Sequence, residues 1–434
     1  MNNSLKIGKP IHYASIMVLV LAFAFSAIMV VSPVQAAKSV SQAAISNYRA
    51  AQSNPALTDE QKIKTTIDAY FTTRYEGQKV LQAQDFSTLM EDNSLASVKK
   101  EKDKREIELY LASLFNLKYQ RYKYTLDYDS VDIKGKKATV QLRESHQVVF
   151  AADPSQVSEM ANLQHVFMLH NKNGLWVIYT DEYQDELSRG LNHRSKEDIK
   201  KQVDENYQDE LKRKASYHSG NKVIASPATR PLGLTAITYN RTAARNYAEA
   251  YWNNTTLTPY YRVDPTGNDC ANYVAQAINA GLTNASPTTP PVATAMGPFG
   301  TWPPGNTNWQ QQWYYKFNTH TGTTMSLSYS ASYAWINVEG QKNFIQTNNG
   351  TKKGPYGGVI SACSAAIGDI VQLQGVNQAG MWDHEGIISI KTTADPCLIS
   401  TYYVNAHTAA RHNYPVSSWA IYPMRFVKIS GGYK

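Results

Sequence analysis

Four successive stretches of alternating apolar and polar residues constrain this chain most: Tyr119 to Ile133, Ala138 to Phe150, Leu163 to His170 and Leu175 to Tyr183. A period of two buries one face of a strand and leaves the other to water. Lys134-Gly135-Lys136 and Asn171-Lys172-Asn173-Gly174 lie between them, and both carry the glycine that tight hairpins use for positive φ. The segments predict an antiparallel meander. Ahead of it, Thr58-Asp59-Glu60-Gln61 has the form of a capping box. Ile63, Ile67, Tyr70 and Phe71 follow at helical spacing, predicting a helix to about Tyr75. A second helix is expected from about Val98 to Leu117, with Ile107, Leu111 and Leu114 on one face. Helices followed by a meander make residues 58–187 an α+β domain.

This pattern resembles the cone-shaped fold of the nuclear-transport-factor or cystatin-like type, most of all in the closing hairpin from Val166 to Tyr183. The resemblance implies a cone able to enclose a ligand, with Tyr110, Tyr124, His165 and Trp176 as conceivable lining residues. The alternative is that the four pack the sheet against the helices. Residues 188–235 read as a charged helix and a linker, because Lys196, Glu197, Asp198, Lys200, Lys201, Asp204 and Glu205 come in quick succession before Pro227 and Pro231.

At the other end, residues 1–36 have the form of a signal peptide. Lys6 and Lys9 precede an apolar run from Ala14 to Val31, and Val34-Gln35-Ala36 fits a small-residue cleavage site. The run is long enough that an uncleaved membrane anchor is the alternative. Residues 37–57, rich in Ser, Ala and Gln, are expected to be a linker. Removing residues 1–36 leaves 41 of the 43 basic residues against 35 acidic ones, a charge of +6. For an exported chain, that balance favours an anionic cell-wall polymer or a membrane surface over nucleic acid. Three cysteines imply no disulfide framework. Cys363 and Cys397 could pair and leave Cys270 free, or both could stay reduced. No His, Cys and Asp spacing suggests a metal, and no phosphate loop or cofactor motif is present.

From residue 236 onward the chain becomes poor in charge and rich in Asn, Thr, Tyr, Gly and Trp. Its focus is Asn268-Asp269-Cys270-Ala271-Asn272-Tyr273-Val274, which continues in helical composition to Gly281. Cys270 is expected on the first turn of a buried helix, where unpaired N–H groups and the helix dipole favour a thiolate. Downstream come Gly368-Asp369-Ile370, then Asp383-His384-Glu385-Gly386-Ile387-Ile388, then Asn405-Ala406-His407-Thr408. Together with Tyr239-Asn240-Arg241-Thr242-Ala243-Ala244, these motifs resemble those of the putative amidase family, related in arrangement to the NlpC and CHAP cell-wall peptidases. The resemblance covers about Tyr239 to the C-terminus and implies a papain-like cysteine hydrolase over residues 236–434.

The resemblance makes Cys270 the nucleophile, His384 the general base and His407 the third residue, with Asn405 as the alternative orienting group. Asp269 is expected to cap the helix. The oxyanion donors would be the Cys270 N–H and a second group, for which Tyr260 and Tyr261 are candidates. Trp309, Trp313 and Trp335 could form a substrate groove or pack Pro-rich loops onto the core. The implied activity is thiolate attack on an amide, a thioester and hydrolysis, on peptidoglycan outside the cell and with no cofactor. A transglutaminase-like acyl transferase and a non-catalytic wall-binding protein are the rival readings.

Overall fold

The computed structural model describes residues 33–92, 95–219, 234–253, 269–284, 313, 332–392 and 395–434. Helices α1 (Pro33–Ser53), α2 (Asp59–Val80) and α3 (Ala96–Leu114) precede four long strands: β1 (Tyr119–Lys134), β2 (Lys137–Phe150), β3 (Val157–Lys172) and β4 (Leu175–Tyr183). Next come α4 (Glu186–Leu191) and the charged α5 (Lys196–His218). The C-terminal part contains β5 (Ala236–Ile237), α6 (Arg241–Tyr251), α7 (Cys270–Thr283), α8 (Tyr333–Ile336) and α9 (Val338–Thr347). It closes with β6 (Gly354–Ile360), β7 (Ile370–Gln374), β8 (Trp382–Lys391), β9 (Tyr402–Ala406), β10 (Ala410–Pro415) and β11 (Met424–Tyr433).

The fold is α+β and its named strands pair antiparallel. The meander has the expected β1-β2-β3-β4 order, and Gly135 and the Asn173-Gly174 pair adopt positive φ at its two hairpins. Thr58 and Gln61 form the capping box that starts α2. Three features depart from the sequence expectations. Residues 37–57 do not form a linker: α1 runs through Ser53 and packs on α2 and β4. Tyr48 Oη donates to the Trp176 carbonyl at 3.2 Å, and Gln52 accepts from the Trp176 N–H at 3.0 Å. The charged helix α5 forms as expected but does not stand free of the C-terminal part: Asn206 donates to the Ala420 and Tyr422 carbonyls at 2.7 Å and Glu210 accepts from the Ile399 N–H at 2.6 Å.

The third departure is that the two halves share one sheet and one core. Strand β3 pairs with β10 through Ala161–Ala410, Met160–Arg411 and Glu159–His412, so the meander continues as β10-β9-β8-β7-β11. One cluster of buried side chains runs from Ile63, Phe71 and Phe167 to Val371, Val404 and Trp419. The four residues proposed for a cone lining have other duties. His165 is clamped between Asp181 (2.8 Å) and Glu144 (3.0 Å), and the buried Trp176 donates to Asp59 at 3.0 Å. Tyr124 and Tyr110 donate to Asp68 and Asp204 at the surface. Cys363 and Cys397 are disulfide-bonded and Cys270 is free. No described helix is long and apolar enough to cross a membrane. The segment proposed for export lies, but for its last four residues, outside the described residues.

Candidate active site

Cys270 opens α7, a helix of Ala, Val, Ile and other residues buried on every side from Cys270 to Leu282. A helix that is apolar all round has to be enclosed, and here α6, α8 and the face of the sheet enclose it. Asn284 ends it in the left-handed conformation, so the helix runs past the stop expected at Gly281. Gly281 serves a close approach instead, since a Cβ there would meet the Tyr239 ring at 2.2 Å.

The Cys270 sulfur reaches the main chain of β8, lying 3.9 Å from the Asp383 carbonyl. Burial pushes its pKa up to about 12, and the Glu385 carboxyl and Asp269 act in the same sense. The N–H groups of Glu385 and Ala271 oppose this without overcoming it. The expected lowering at the helix start does not appear: with water excluded, loss of solvation outweighs the N–H groups that face the sulfur. In this conformation Cys270 is a thiol.

Asp269 precedes α7, yet its side chain does not cap the helix. Its Oδ1 accepts from Asn272 Nδ2 at 2.8 Å and its Oδ2 pairs with His407 Nδ1 at 2.8 Å. His407 Nε2 donates to the Tyr251 carbonyl at 2.9 Å, and the ring stacks on Tyr273 with centroids 4.0 Å apart. Thr408 Oγ1 accepts from the Asp269 N–H at 3.3 Å. His407 and Asp269 thus tie the start of α7 to the end of α6, with Cys270 the next residue along.

His384 lies elsewhere. Side chains alternate along a strand, and on β8 Glu385 and Ile387 face α7 while His384, Gly386 and Ile388 face the shared core. Ile387 belongs to the cluster around α7, Ile388 to the cluster with Trp419, and a Cβ at Gly386 would meet Trp419 at 2.7 Å. The His384 ring packs edge-on against Trp419 at 5.3 Å, with Nε2 3.7 Å from Glu186 Oε1. Burial holds its pKa below the usual histidine value. The acid on the thiol's face is Glu385, which accepts from Gln372 Nε2 at 2.6 Å and which burial raises to about 8. With its amide oriented to satisfy both partners, Gln341 donates to Glu385 at 2.9 Å.

The structure therefore brings Cys270 and His407 together through Asp269 but puts His384 across the sheet. Neither His407 nor Asn405 orients His384. Asn405 accepts from the Asn413 N–H at 2.7 Å on the α7 side. Trp313 and Trp335 are 1% exposed and lie against each other, and Trp335 Nε1 donates to Asn272 at 2.8 Å, so both are core residues and not a groove. Trp309, Tyr260 and Tyr261 lie outside the described residues. His412, unassigned from sequence, bridges Glu159 (3.2 Å) and Glu249 (2.5 Å) and stacks on Trp252. Sequence reasoning missed Glu385, although an acid directly before the apolar run Gly386-Ile387-Ile388 was its signal. Among the described residues no group of three or more His, Cys, Asp or Glu is placed to hold a metal ion.

Residues 238–429 match the sequence model of a family described as a putative amidase domain. The match makes the C-terminal part of the chain similar to an amidase domain and supports amidohydrolase activity. Neither a curated protein nor a solved structure matches the chain.

Proposed function

We propose that the C-terminal domain hydrolyses an amide bond with Cys270 as nucleophile, in the manner of papain-like hydrolases, and that its substrate is peptidoglycan outside the cell. The observation that carries the mechanism is the free thiol at the start of a buried helix, beside the Asp269–His407 pair, inside the stretch that matches an amidase family. The sulfur attacks the carbonyl carbon, the C–N bond breaks, the amine leaves with a proton, and water hydrolyses the thioester. The thiol's proton goes to the ionised form of the acid turned towards it, Glu385, and with a pKa of about 8 that form becomes populated as the pH approaches 8. His384 could take that role only if its ring left Trp419 for the other face of β8. The Ala271 and Glu385 N–H groups, already directed at the sulfur, stabilise the thiolate as it forms.

Peptidoglycan is favoured by the basic balance of the chain, 43 Lys and Arg against 35 Asp and Glu, and by the export-type N-terminus. The test is mass spectrometry of purified peptidoglycan after incubation with the protein and with Cys270→Ala. New amine-terminated fragments from the first alone support the reading. Equal products from both remove Cys270 from the mechanism. Incorporation of an added amine in place of hydrolysis makes the protein an acyl transferase, and binding without products makes it a wall-binding protein.

A further inference from the structure

A cavity of about 120 Å³ lies where the N-terminal helices and meander meet β10 and the turn after it. Its walls combine Leu111, Leu117, Phe150 and Met160 with two arginines, Arg74 and Arg411. Both arginines already face acids: Arg74 Nη2 donates to Glu108 at 2.8 Å with Glu144 4.0 Å from its Nη1, beyond hydrogen-bond distance, and Arg411 Nη2 donates to Glu186 at 2.6 Å. Each also has a buried N–H without an acceptor, Nη1 of Arg74 and Nε of Arg411, and Arg411 is only 7% exposed. A guanidinium only donates, and a buried donor left unpaired is costly enough that such groups are rare.

The acids at the cavity are engaged. Glu108 and Glu186 are held by the arginines, and Asp185 accepts from the Ser188 N–H at 2.8 Å. What the site lacks is an acceptor, and a carboxylate can take N–H groups from both arginines. The volume is somewhat below the ~150 Å³ that accommodates the six carbons of benzene in an engineered cavity, which limits an occupant to about five or six non-hydrogen atoms. We propose that this cavity is a binding site for a small monocarboxylate with an apolar body. The site stands apart from the thiol and does not depend on the amidase reading.

The experiment is calorimetric titration of the full chain with butanoate, butan-1-ol and butylamine, which share the apolar body and differ in the head. A ligand that binds only the folded chain also raises the unfolding temperature, so melting curves with each compound supply a second reading. Saturable butanoate binding at least about tenfold tighter than the alcohol or the amine is expected, since a charge-assisted hydrogen bond contributes that much or more. Ala112→Met, which adds bulk at the cavity wall, and Arg74→Gln, which removes a donor, should each weaken it by about tenfold or more. Absence of saturable butanoate binding to the unsubstituted protein overturns the proposal, as does equal binding of butanol. Undiminished binding by folded Ala112→Met would place the ligand elsewhere and overturn it too.

Discussion

Glu385 is fully buried between α7 and the sheet, and its carboxyl keeps its proton to about pH 8 where a free glutamate loses it near 4.5. Unfolding exposes the group, so between those two pH values the unfolded chain releases a proton that the folded chain retains. The folded state then binds more protons, and stability falls as pH rises. This group's contribution is fully present below about 4.5 and is lost as pH climbs through about 8. Three and a half decades of pH at ~1.4 kcal/mol each make the loss about 5 kcal/mol, a large share of a typical stability. Glu385→Gln keeps the size and an acceptor oxygen but cannot ionise. Urea unfolding of both proteins at pH 5, 7 and 9 measures the effect, since taking the difference at each pH cancels every other titrating group. The variant should gain on the unsubstituted protein by several kcal/mol between pH 5 and 9. A difference that does not change with pH, or that changes in the opposite direction, would refute the reasoning.

Two further outcomes follow from covalent and backbone geometry. Reducing the Cys363–Cys397 disulfide, which closes a loop spanning 34 positions, should destabilise the chain by about 3–4 kcal/mol, read as a lower urea midpoint in the presence of reductant. An unchanged midpoint with both thiols confirmed free would contradict this. Gly357→Ala places a Cβ 1.8 Å from the Lys428 carbonyl across the β6–β11 pair, whereas at neighbouring Gly358 a Cβ meets nothing within 4 Å. The first substitution should cost a few kcal/mol, by forcing backbone to move, and the second within about 1 kcal/mol. Similar melting temperatures for the two variants would mean that β6 is not held as described.

What could be read from the sequence is what neighbouring residues decide. The capping box at Thr58, the alternation of the meander and the Asn-Gly turn are local, and each reappears in the structure. The burial of α7 follows from its composition. Helix α1 was hidden because its many Ala, Ser and Gln residues read as a linker, although Ala44, Ile45, Tyr48 and Ala51 share one face; the Trp176 main chain and Lys62 on α2 secure Tyr48 and Gln52. The joining of the sheets through β3 and β10 is a contact about 250 positions apart, which no local pattern carries. Trp313 and Trp335 sit in a segment whose prolines and polar residues suggested exposed loops, yet their rings are in the core. The Glu186–Arg411 pair, against which His384 lies, depends on the same long-range join.

The decisive ambiguity in the site is one of parity. Cysteine, histidine and a following polar strand occur in the order of thiol hydrolases, and order along the chain says nothing about which face of a strand a residue takes. A shift of one position exchanges the faces, so Asp383-His384-Glu385 offers the thiol either the imidazole or its flanking acids. Asp383 is occupied by the Val376, Asn377 and Gln378 N–H groups at 2.7–2.9 Å. Glu385 is then the acid left on the α7 side, while His384 lies against Trp419. If this arrangement is the working one, Glu385→Gln should lower kcat/KM by about 10² or more, the scale of a lost general base. His384→Ala should lose less, and its loss should show as a lower melting temperature, because it opens a cavity against Trp419 in the shared core. The ranking requires kcat/KM and melting temperature for both variants on the amide found to be cleaved. A fully folded His384→Ala protein with activity as low as that of Cys270→Ala would reverse it: the imidazole would then have to reach the thiol during turnover, and β8 would have to re-register to bring it there.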